Sequence, residues 1–204
     1  MKNTIKGVVF DVGGVLIKET DKQIYSKISR EINISHNKLE EIIEKNLSPI
    51  ERGYCSILDF WKKICRDLRI KKPSPQKLAK VFLSHYQRSA KIQKQVLAIT
   101  LKLKRNYKLG IISNTINEHA AINKKRGFFK YFHVVILSSK VGLIKPERKI
   151  YQLAAKLLRL KPKNIMFIDD QSKNIGPAKK FGFDAVRFTS VKNLKAALRK
   201  RGIS

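Results

Sequence analysis

Short apolar segments that alternate with helical patterns are the strongest constraint on the fold of this chain. Apolar runs bounded by turn residues occur at residues 7–10, 109–113, 134–137, 165–168 and 185–188. Helix-period patterns lie between the later runs, at residues 117–132, 147–158 and 172–181. Strands that are apolar on both faces and alternate with helices form a parallel sheet covered on both sides. We therefore predict an α/β fold from residue 91 onward, built on a Rossmann-like parallel sheet.

The segment between the first two predicted strands has a different pattern. Residues 18–88 contain no continuous apolar strand, and helix-period apolar positions recur in four stretches. We therefore predict an α/β core formed by residues 1–17 and 89–204, and a helical cap formed by residues 18–88 that is inserted after the first strand. Charge supports this division, because the insertion holds 16 basic and 9 acidic residues and the remainder holds 29 and 6.

The whole chain is strongly basic, with 45 Lys and Arg against 15 Asp and Glu and a formal net charge of +30. Such a charge attracts nucleic acid, anionic lipid or phosphorylated metabolites. Basic residues spread over a solvated surface also explain it. Nucleic acid is a possible partner by charge, but the sequence contains no recognised nucleic-acid module that supports it. The sequence does not predict an oligomeric state.

Cysteine usage and hydropathy bear on the cellular compartment. Cys55 and Cys65 lie ten residues apart without a Cys-x-x-C pair, which argues against a disulfide framework or a zinc site. Asp11 interrupts the apolar run near the start, which argues against a signal peptide. No apolar run approaches the length of a membrane span. We expect a reduced, cytoplasmic protein that does not contact the membrane.

Polar residues stand at the ends of three predicted strands. The first strand ends in Asp11, the second in Ser-Asn-Thr at residues 113–115, and the fourth in Asp169 and Asp170. Ligands of open parallel sheets bind beyond the carboxyl ends of the strands. Only six acidic residues lie outside the helical insertion, and these aspartates are three of them. Three converging carboxylates repel one another unless protons or a cation intervene, so the pattern predicts a bound metal. Mg²⁺ prefers such hard oxygen ligands.

Each polar motif taken alone also has a simple structural explanation. Asp11 could cap the amides of a tight glycine turn. The polar residues at 113–115 and the Asp169-Asp170 pair could cap the helices that follow them. Lys145 could be a solvated lysine before a turn restricted by proline. The occurrence of all four motifs in one chain, in this order, favours a common site.

These motifs resemble those of a known enzyme superfamily. They are FDVGGVL at residues 10–16, ISNT at 112–115, LIKPE at 143–147 and FIDDQSKNIGPAKKFG at 167–182. In order and spacing they resemble the four motifs of the haloacid dehalogenase-like (HAD) hydrolases. The likeness is closest to the phosphatase branch related to sugar-1-phosphate phosphatases and to the amino-terminal domain of soluble epoxide hydrolases. The helical insertion falls where that family places its cap.

The resemblance implies a Mg²⁺-dependent phosphatase that acts on a small phosphorylated metabolite through an aspartyl-phosphate intermediate. It makes Asp11 the nucleophile, which divides one difficult displacement into two easier ones. Ser113 and the backbone N–H of Asn114 would hold the phosphoryl oxygens. Lys145 would neutralise charge between the nucleophile and the phosphate.

The resemblance also implies a set of metal ligands. Asp170, Asp11 and the backbone carbonyl of Gly13 would bind Mg²⁺ directly. Asp169 and Asn174 would act through water or orient the loop.

The predicted cap contains one stretch that resembles the family's substrate loop. Glu51, Arg52 and Tyr54 in the sequence ERGY are therefore candidate substrate contacts. An ordinary turn between two helices explains the same stretch.

The chain departs from the family pattern at Gly13. Most family phosphatases carry a second aspartate at this position, which protonates the leaving group and then activates water. Positioned acid-base groups contribute about 10²- to 10⁴-fold, so we expect alkyl phosphates to be poor substrates unless a cap residue or water substitutes.

Two alternative functions remain open. One is a catalytically weak HAD-fold protein that binds nucleic acid or another anionic partner. The other is a 2-haloacid dehalogenase, whose family members lack the second aspartate and use no metal.

Overall fold

The computed structural model describes residues 4–18 and 21–203, which form one parallel sheet flanked by helices. Its five strands are β1 Gly7–Phe10, β2 Lys108–Ser113, β3 Val134–Leu137, β4 Ile165–Asp169 and β5 Asp184–Arg187, and their spatial order is β3-β2-β1-β4-β5. The predicted α/β fold with a parallel sheet is confirmed, and each strand lies within one residue of its predicted bounds.

The described residues form helices before, between and after the later strands, numbered here in chain order. They are α1 Asp21–Glu31, α2 His36–Glu51, α3 Ile57–Asp67, α4 Pro75–Ser89, α5 Lys94–Leu103, α6 Asn117–Lys125, α7 Ser138–Val141, α8 Arg148–Leu158, α9 Ser172–Phe181 and α10 Val191–Arg199. None of these helices has both the length and the apolar character needed to cross a membrane.

Both faces of the sheet are buried, because alternate residues of each strand pack into different apolar clusters. Phe10 of β1 packs in one cluster with residues of α5 and α10, including Val96 and Leu198. Val9, the preceding residue, packs in another cluster with residues of α8 and α9, including Tyr151. Successive side chains of a strand point to opposite faces, so an uninterrupted apolar run is what this two-sided burial requires.

Helices α1 to α4 lie between β1 and β2 in the chain and pack together in a third apolar cluster, which also includes Ile116. Trp61 is fully buried there. The side chains of Ser35 and Ser74 accept hydrogen bonds from backbone N–H groups and cap the amino ends of α2 and α4. These helices lie where the helical insertion was predicted. Residues 1–3, 19, 20 and 204, which belong to the predicted core and cap, lie outside the described residues.

One predicted helical pattern, residues 117–132, is interrupted in the structure. Helix α6 ends at Lys125, and Gly127 adopts the left-handed conformation with φ of 76°. A 3-10 turn over Phe128–Tyr131 follows and buries the side chain of Phe128. The glycine breaks the helix because it takes this φ without the steric cost that a side chain would meet.

Candidate active site

Three aspartates meet at the carboxyl edge of the sheet. Asp11 follows β1, and Asp169 and Asp170 stand at the end of β4. The strands are parallel neighbours with Phe10 opposite Ile168, so the residues that follow are brought side by side. One carboxylate oxygen of each aspartate lies within 4.8 Å of the other two. The register therefore collects the three carboxylates that the sequence placed at strand ends.

Lys145 lies within this cluster. Its Nζ is 2.6 Å from Asp169 Oδ2 and 2.8 Å from Asp11 Oδ1, and its side chain is 1% exposed. Burial raises the pKa of Asp11 to about 7, and the charge of the lysine opposes that rise. Burial works to lower the pKa of Lys145, but the charges of Asp11 and Asp169 outweigh it and raise that pKa. The lysine consequently stays protonated and holds a positive charge at the strand ends.

Asp169 accepts hydrogen bonds at both carboxylate oxygens. Oδ1 accepts from the backbone N–H of Gln171 at 2.8 Å and from Asn174 Nδ2 at 3.1 Å. Oδ2 accepts from Asn174 Nδ2 at 3.0 Å and from Lys145 Nζ. Because protein donors contact both oxygens, Asp169 is fixed in orientation and in turn fixes the lysine.

The two glycines after Asp11 differ in what the structure requires of them. Gly14 has a φ of +70°, and a Cβ there would lie 2.2 Å from Asp170 Oδ2. Any side chain at Gly14 would be strained and would displace Asp170. Gly13 is exposed, its φ lies outside the left-handed region, and a Cβ there would meet nothing within 4 Å. The fold therefore needs glycine at position 14 and accepts a side chain at position 13.

The side chain of Asn114 joins two of the motifs. Its Oδ1 accepts from the backbone N–H of Lys145 at 2.8 Å, and its Nδ2 donates to the backbone carbonyl of Lys145 at 3.0 Å. Ser113, the last residue of β2, is buried beside it. This clamp holds the segment that carries Lys145 against the end of β2.

A cavity of about 610 Å³ lies between the strand ends and helices α1 to α4. The strand ends and the loops beside them supply polar residues to its wall, among them Asp11, Gly13, Ser113, Asn114, Lys145 and Asn174. The helices supply apolar and aromatic residues and three carboxylates, including Ile43, Leu47, Phe60, Phe82, Glu40, Glu44 and Glu51. The cavity has the size of a small-molecule site, with a polar wall at the strand ends and a wall of mixed apolar and acidic residues on the helices.

A family model described as haloacid dehalogenase-like hydrolase matches residues 5–182, which include the aspartate cluster and Lys145. The chain belongs to the haloacid dehalogenase-like hydrolases. The family predicted from the four motifs is thus confirmed.

Curated relatives of this HAD-like hydrolase include phosphatases. D-ribitol-5-phosphate phosphatase from Bacteroides thetaiotaomicron is 24% identical over 189 residues, which cover 88% of this chain and 90% of that protein. Bifunctional epoxide hydrolase 2 from Mus musculus is 37% identical over 71 residues. That match covers 35% of this chain and only 12% of the epoxide hydrolase.

Solved structures show the same fold. A HAD family enzyme from Bacteroides thetaiotaomicron superposes with a TM-score of 0.77 at 23% identity, covering 96% of this chain and 98% of that one. The same enzyme in complex with magnesium and inorganic phosphate gives a TM-score of 0.71 at 24% identity, covering 91% and 94%.

The three candidate residues of the ERGY stretch are placed differently in this HAD-like hydrolase. Glu51 lines the cavity, and its Oε2 accepts from Asn114 Nδ2 at 3.4 Å. Arg52 lies outside the cavity lining and donates to the backbone carbonyl of Gly142 at 2.7 Å and to the carboxylate of Glu147. Tyr54 is 72% exposed and also lies outside the lining. The stretch therefore sends one side chain to the cavity and uses another to link α2 to the segment before α8.

Lys173 and Glu147 are among the residues in or beside the cavity that were not identified from the sequence. Lys173 lines the cavity at the start of α9, and Glu147 pairs with Arg52. Both lie inside recognised motifs, at DDQSK and LIKPE. Their charge and their position within a motif are the signals that could have found them.

Proposed function

We propose that this HAD-like hydrolase is a Mg²⁺-dependent phosphatase that hydrolyses a small phosphate monoester through an aspartyl-phosphate on Asp11. The observation that carries the proposal is the convergence of Asp11, Asp169 and Asp170 around the buried Lys145. The related ribitol-phosphate phosphatase and the magnesium and phosphate complex of the fold neighbour support it.

The donor set fits Mg²⁺. Three carboxylates at one strand edge supply hard oxygen ligands, and Gly14 leaves the space that Asp170 needs to reach the cluster. Asp11, Asp170 and the carbonyl of Gly13 would hold the ion, whereas Asp169 is occupied by protein donors and orients Lys145 together with Asn174. When bound, the ion balances the carboxylate charge and polarises the phosphoryl group.

In the proposed reaction an oxygen of Asp11 forms a bond to phosphorus, and the ester P–O bond breaks with its electron pair on the leaving oxygen. Water then attacks the phosphorus, releases inorganic phosphate and restores the Asp11 carboxylate. Ser113 and the backbone N–H of Asn114 hold the phosphoryl oxygens. Lys145 opposes the rise in the pKa of Asp11 that burial causes, which favours the ionised nucleophile, and it balances the charge of the phosphate.

Residues 18–88 act in this proposal as a cap over the α/β core of residues 1–17 and 89–204. The cap supplies the wall of mixed apolar and acidic residues, which receives the part of the substrate that is not phosphate. The contact between Arg52 and Glu147 keeps the two parts together, because it joins the end of α2 to the core side of the site. Glu51 is the candidate cap residue that reaches the substrate.

Phosphate release from 4-nitrophenyl phosphate tests the proposal. Turnover should require Mg²⁺, disappear in EDTA and be abolished in Asp11→Asn. Asp184→Asn is the matched control, because Asp184 pairs with Arg201 away from the cavity. Undiminished turnover in EDTA or in Asp11→Asn would contradict the proposal.

The same preparation separates the two alternative functions. Halide release from 2-chloropropionate that EDTA does not affect would instead support a dehalogenase. Binding of RNA that weakens steeply with salt, together with no Mg²⁺-dependent turnover of any phosphate ester, would support a weakly catalytic protein with an anionic partner.

A further inference from the structure

The position that holds the proton donor in most family phosphatases carries no side chain here. Gly13 lines the cavity beside Asp11, and a Cβ added to it would meet nothing within 4 Å. The phosphatase reaction proposed above still needs a proton for the leaving oxygen when that oxygen is an alkoxide. The proton must therefore come from another wall of the cavity or from water.

Glu51 stands on the opposite wall, at the last residue of α2. Its Oε2 accepts from Asn114 Nδ2 at 3.4 Å, and Asn114 is clamped to the backbone of Lys145. Lys145 in turn lies 2.8 Å from Asp11. This sequence of contacts ties the Glu51 carboxyl group to the residues that are proposed to bind and attack the phosphate.

The surroundings of Glu51 favour a protonated carboxyl group. Burial raises its pKa above the ordinary value, although Lys173, Lys145 and Asn114 oppose that rise. A phosphate dianion bound at Ser113 would raise it further, because two negative charges in one site disfavour each other. Glu51 can therefore carry a proton into the reaction.

The other carboxylates on the helical wall are less well placed. Glu44 precedes Glu51 by seven residues of α2, which is about 10 Å along the helix axis at 1.5 Å per residue. Glu40 lies about 16 Å back along the same axis, with its carboxylate 3.9 Å from His36 Nε2. Among the described residues, Glu51 is the cap carboxylate in contact with the phosphate-binding segment.

We infer that Glu51 is a catalytic residue of this enzyme and serves as the general acid in place of the missing aspartate at position 13. This inference rests on the proposed phosphatase function. As the P–O bond breaks, the Glu51 carboxyl proton passes to the leaving oxygen, which departs as a neutral alcohol and leaves Glu51 ionised. In the second step Glu51 takes one proton from the attacking water, whose oxygen bonds to phosphorus as the bond to Asp11 breaks. Inorganic phosphate, the Asp11 carboxylate and protonated Glu51 result.

The test compares an alkyl with an aryl substrate. D-ribitol 5-phosphate has a poor leaving group that needs the proton, whereas 4-nitrophenyl phosphate has a good one that does not. Glu51→Gln should lower kcat/KM for the alkyl ester by about 10²-fold or more and that for the aryl ester by less than about tenfold. The parameter kcat/KM reports formation of the aspartyl-phosphate, the step at which only the alkoxide needs the proton, whereas kcat also contains the second step that both esters share. The fall of kcat/KM for the alkyl ester at alkaline pH should also disappear in Glu51→Gln.

Two further variants make the result specific. Adding Gly13→Asp to Glu51→Gln should restore at least about tenfold of the lost alkyl rate, because a carboxyl group is then returned to the open position. Glu41→Gln, on the exposed side of α2 where Glu41 pairs with Lys45, should leave the ratio of alkyl to aryl kcat/KM unchanged.

The outcomes separate this inference from the function beneath it. Equal losses of kcat/KM for the alkyl and aryl esters in Glu51→Gln, or no rescue by Gly13→Asp, would overturn the role of Glu51 while Asp11-dependent aryl hydrolysis stands. Absence of Asp11-dependent turnover in the parent protein would overturn the proposed function and the role of Glu51 with it.

Discussion

Replacing Lys145 with methionine removes the positive charge between Asp11 and Asp169 while keeping a side chain of similar length. Nζ lies 2.8 Å and 2.6 Å from the two carboxylates, and the side chains of the three residues are at most 7% exposed. With an effective dielectric constant of about 20, each attraction is worth about 6 kcal/mol. Desolvation of the lysine offsets much of this, and breaking a buried ion pair by removing one partner costs about 3–5 kcal/mol net.

The loss of stability in Lys145→Met should depend on pH. Burial raises the pKa of Asp11 from 3.8 to about 7 with the lysine present, and removal of the lysine raises it further. Between about pH 7 and the higher pKa of Asp11 in the variant, the folded variant keeps a proton that the folded parent and the unfolded chain have released. The stability of the variant relative to the parent therefore falls as pH rises through this range. In EDTA, the free energy of unfolding should therefore drop by about 3–5 kcal/mol at about pH 8 and by clearly less at about pH 5.5.

Urea unfolding at the two pH values measures the effect, and turnover of 4-nitrophenyl phosphate with saturating Mg²⁺ measures the catalytic loss. We expect the folded variant to turn over about 10²-fold more slowly or worse, the scale for loss of a preorganised electrostatic contact. Lys108→Met is the control, because Lys108 Nζ donates to the backbone carbonyl of Leu158 at 2.9 Å, at the amino end of β2. A variant as stable as the parent at both pH values, with turnover within about twofold, would refute the reasoning.

Three further predictions follow from single residues. Gly14→Ala should destabilise the metal-free protein by at least about 1–2 kcal/mol in urea unfolding, because alanine resists the left-handed φ, whereas Gly13→Ala should be nearly neutral. Arg52→Ala should raise KM for 4-nitrophenyl phosphate by about fivefold, since its hydrogen bond and its ion pair with Glu147 together contribute about 1 kcal/mol; an unchanged KM would show that this link does not affect substrate binding. Burial lowers the pKa of His119 from 6.5 to about 3, so the unfolded chain binds a proton that the folded chain excludes and stability falls as pH drops below about 6.5. His119→Phe should reduce that slope by up to about 1.4 kcal/mol per pH unit, read from urea midpoints.

The sequence by itself determined the sheet and the aspartate cluster. An apolar run such as residues 7–10 has no polar face to show to water, so it forms an inner strand of a sheet covered on both sides. Parallel strands have their carboxyl ends at one edge, and Asp11 and Asp169 therefore had to approach each other once their strands became neighbours. For this reason the positions of the strands, the family and the convergence of the three carboxylates were predictable.

Only the tertiary structure decided which of two adjacent residues has a role at the site. In the glycine pair, only the approach of Asp170 and the φ of Gly14 show that the second glycine is required and the first is not. Glu51 and Arg52 are adjacent in sequence, yet one contacts Asn114 in the cavity and the other pairs with Glu147 outside it. A helix turns by about 100° per residue, so the direction of each side chain at the end of α2 depends on how that helix packs. That packing is set by contacts between residues 63 and 95 positions apart in the chain, which no local pattern contains.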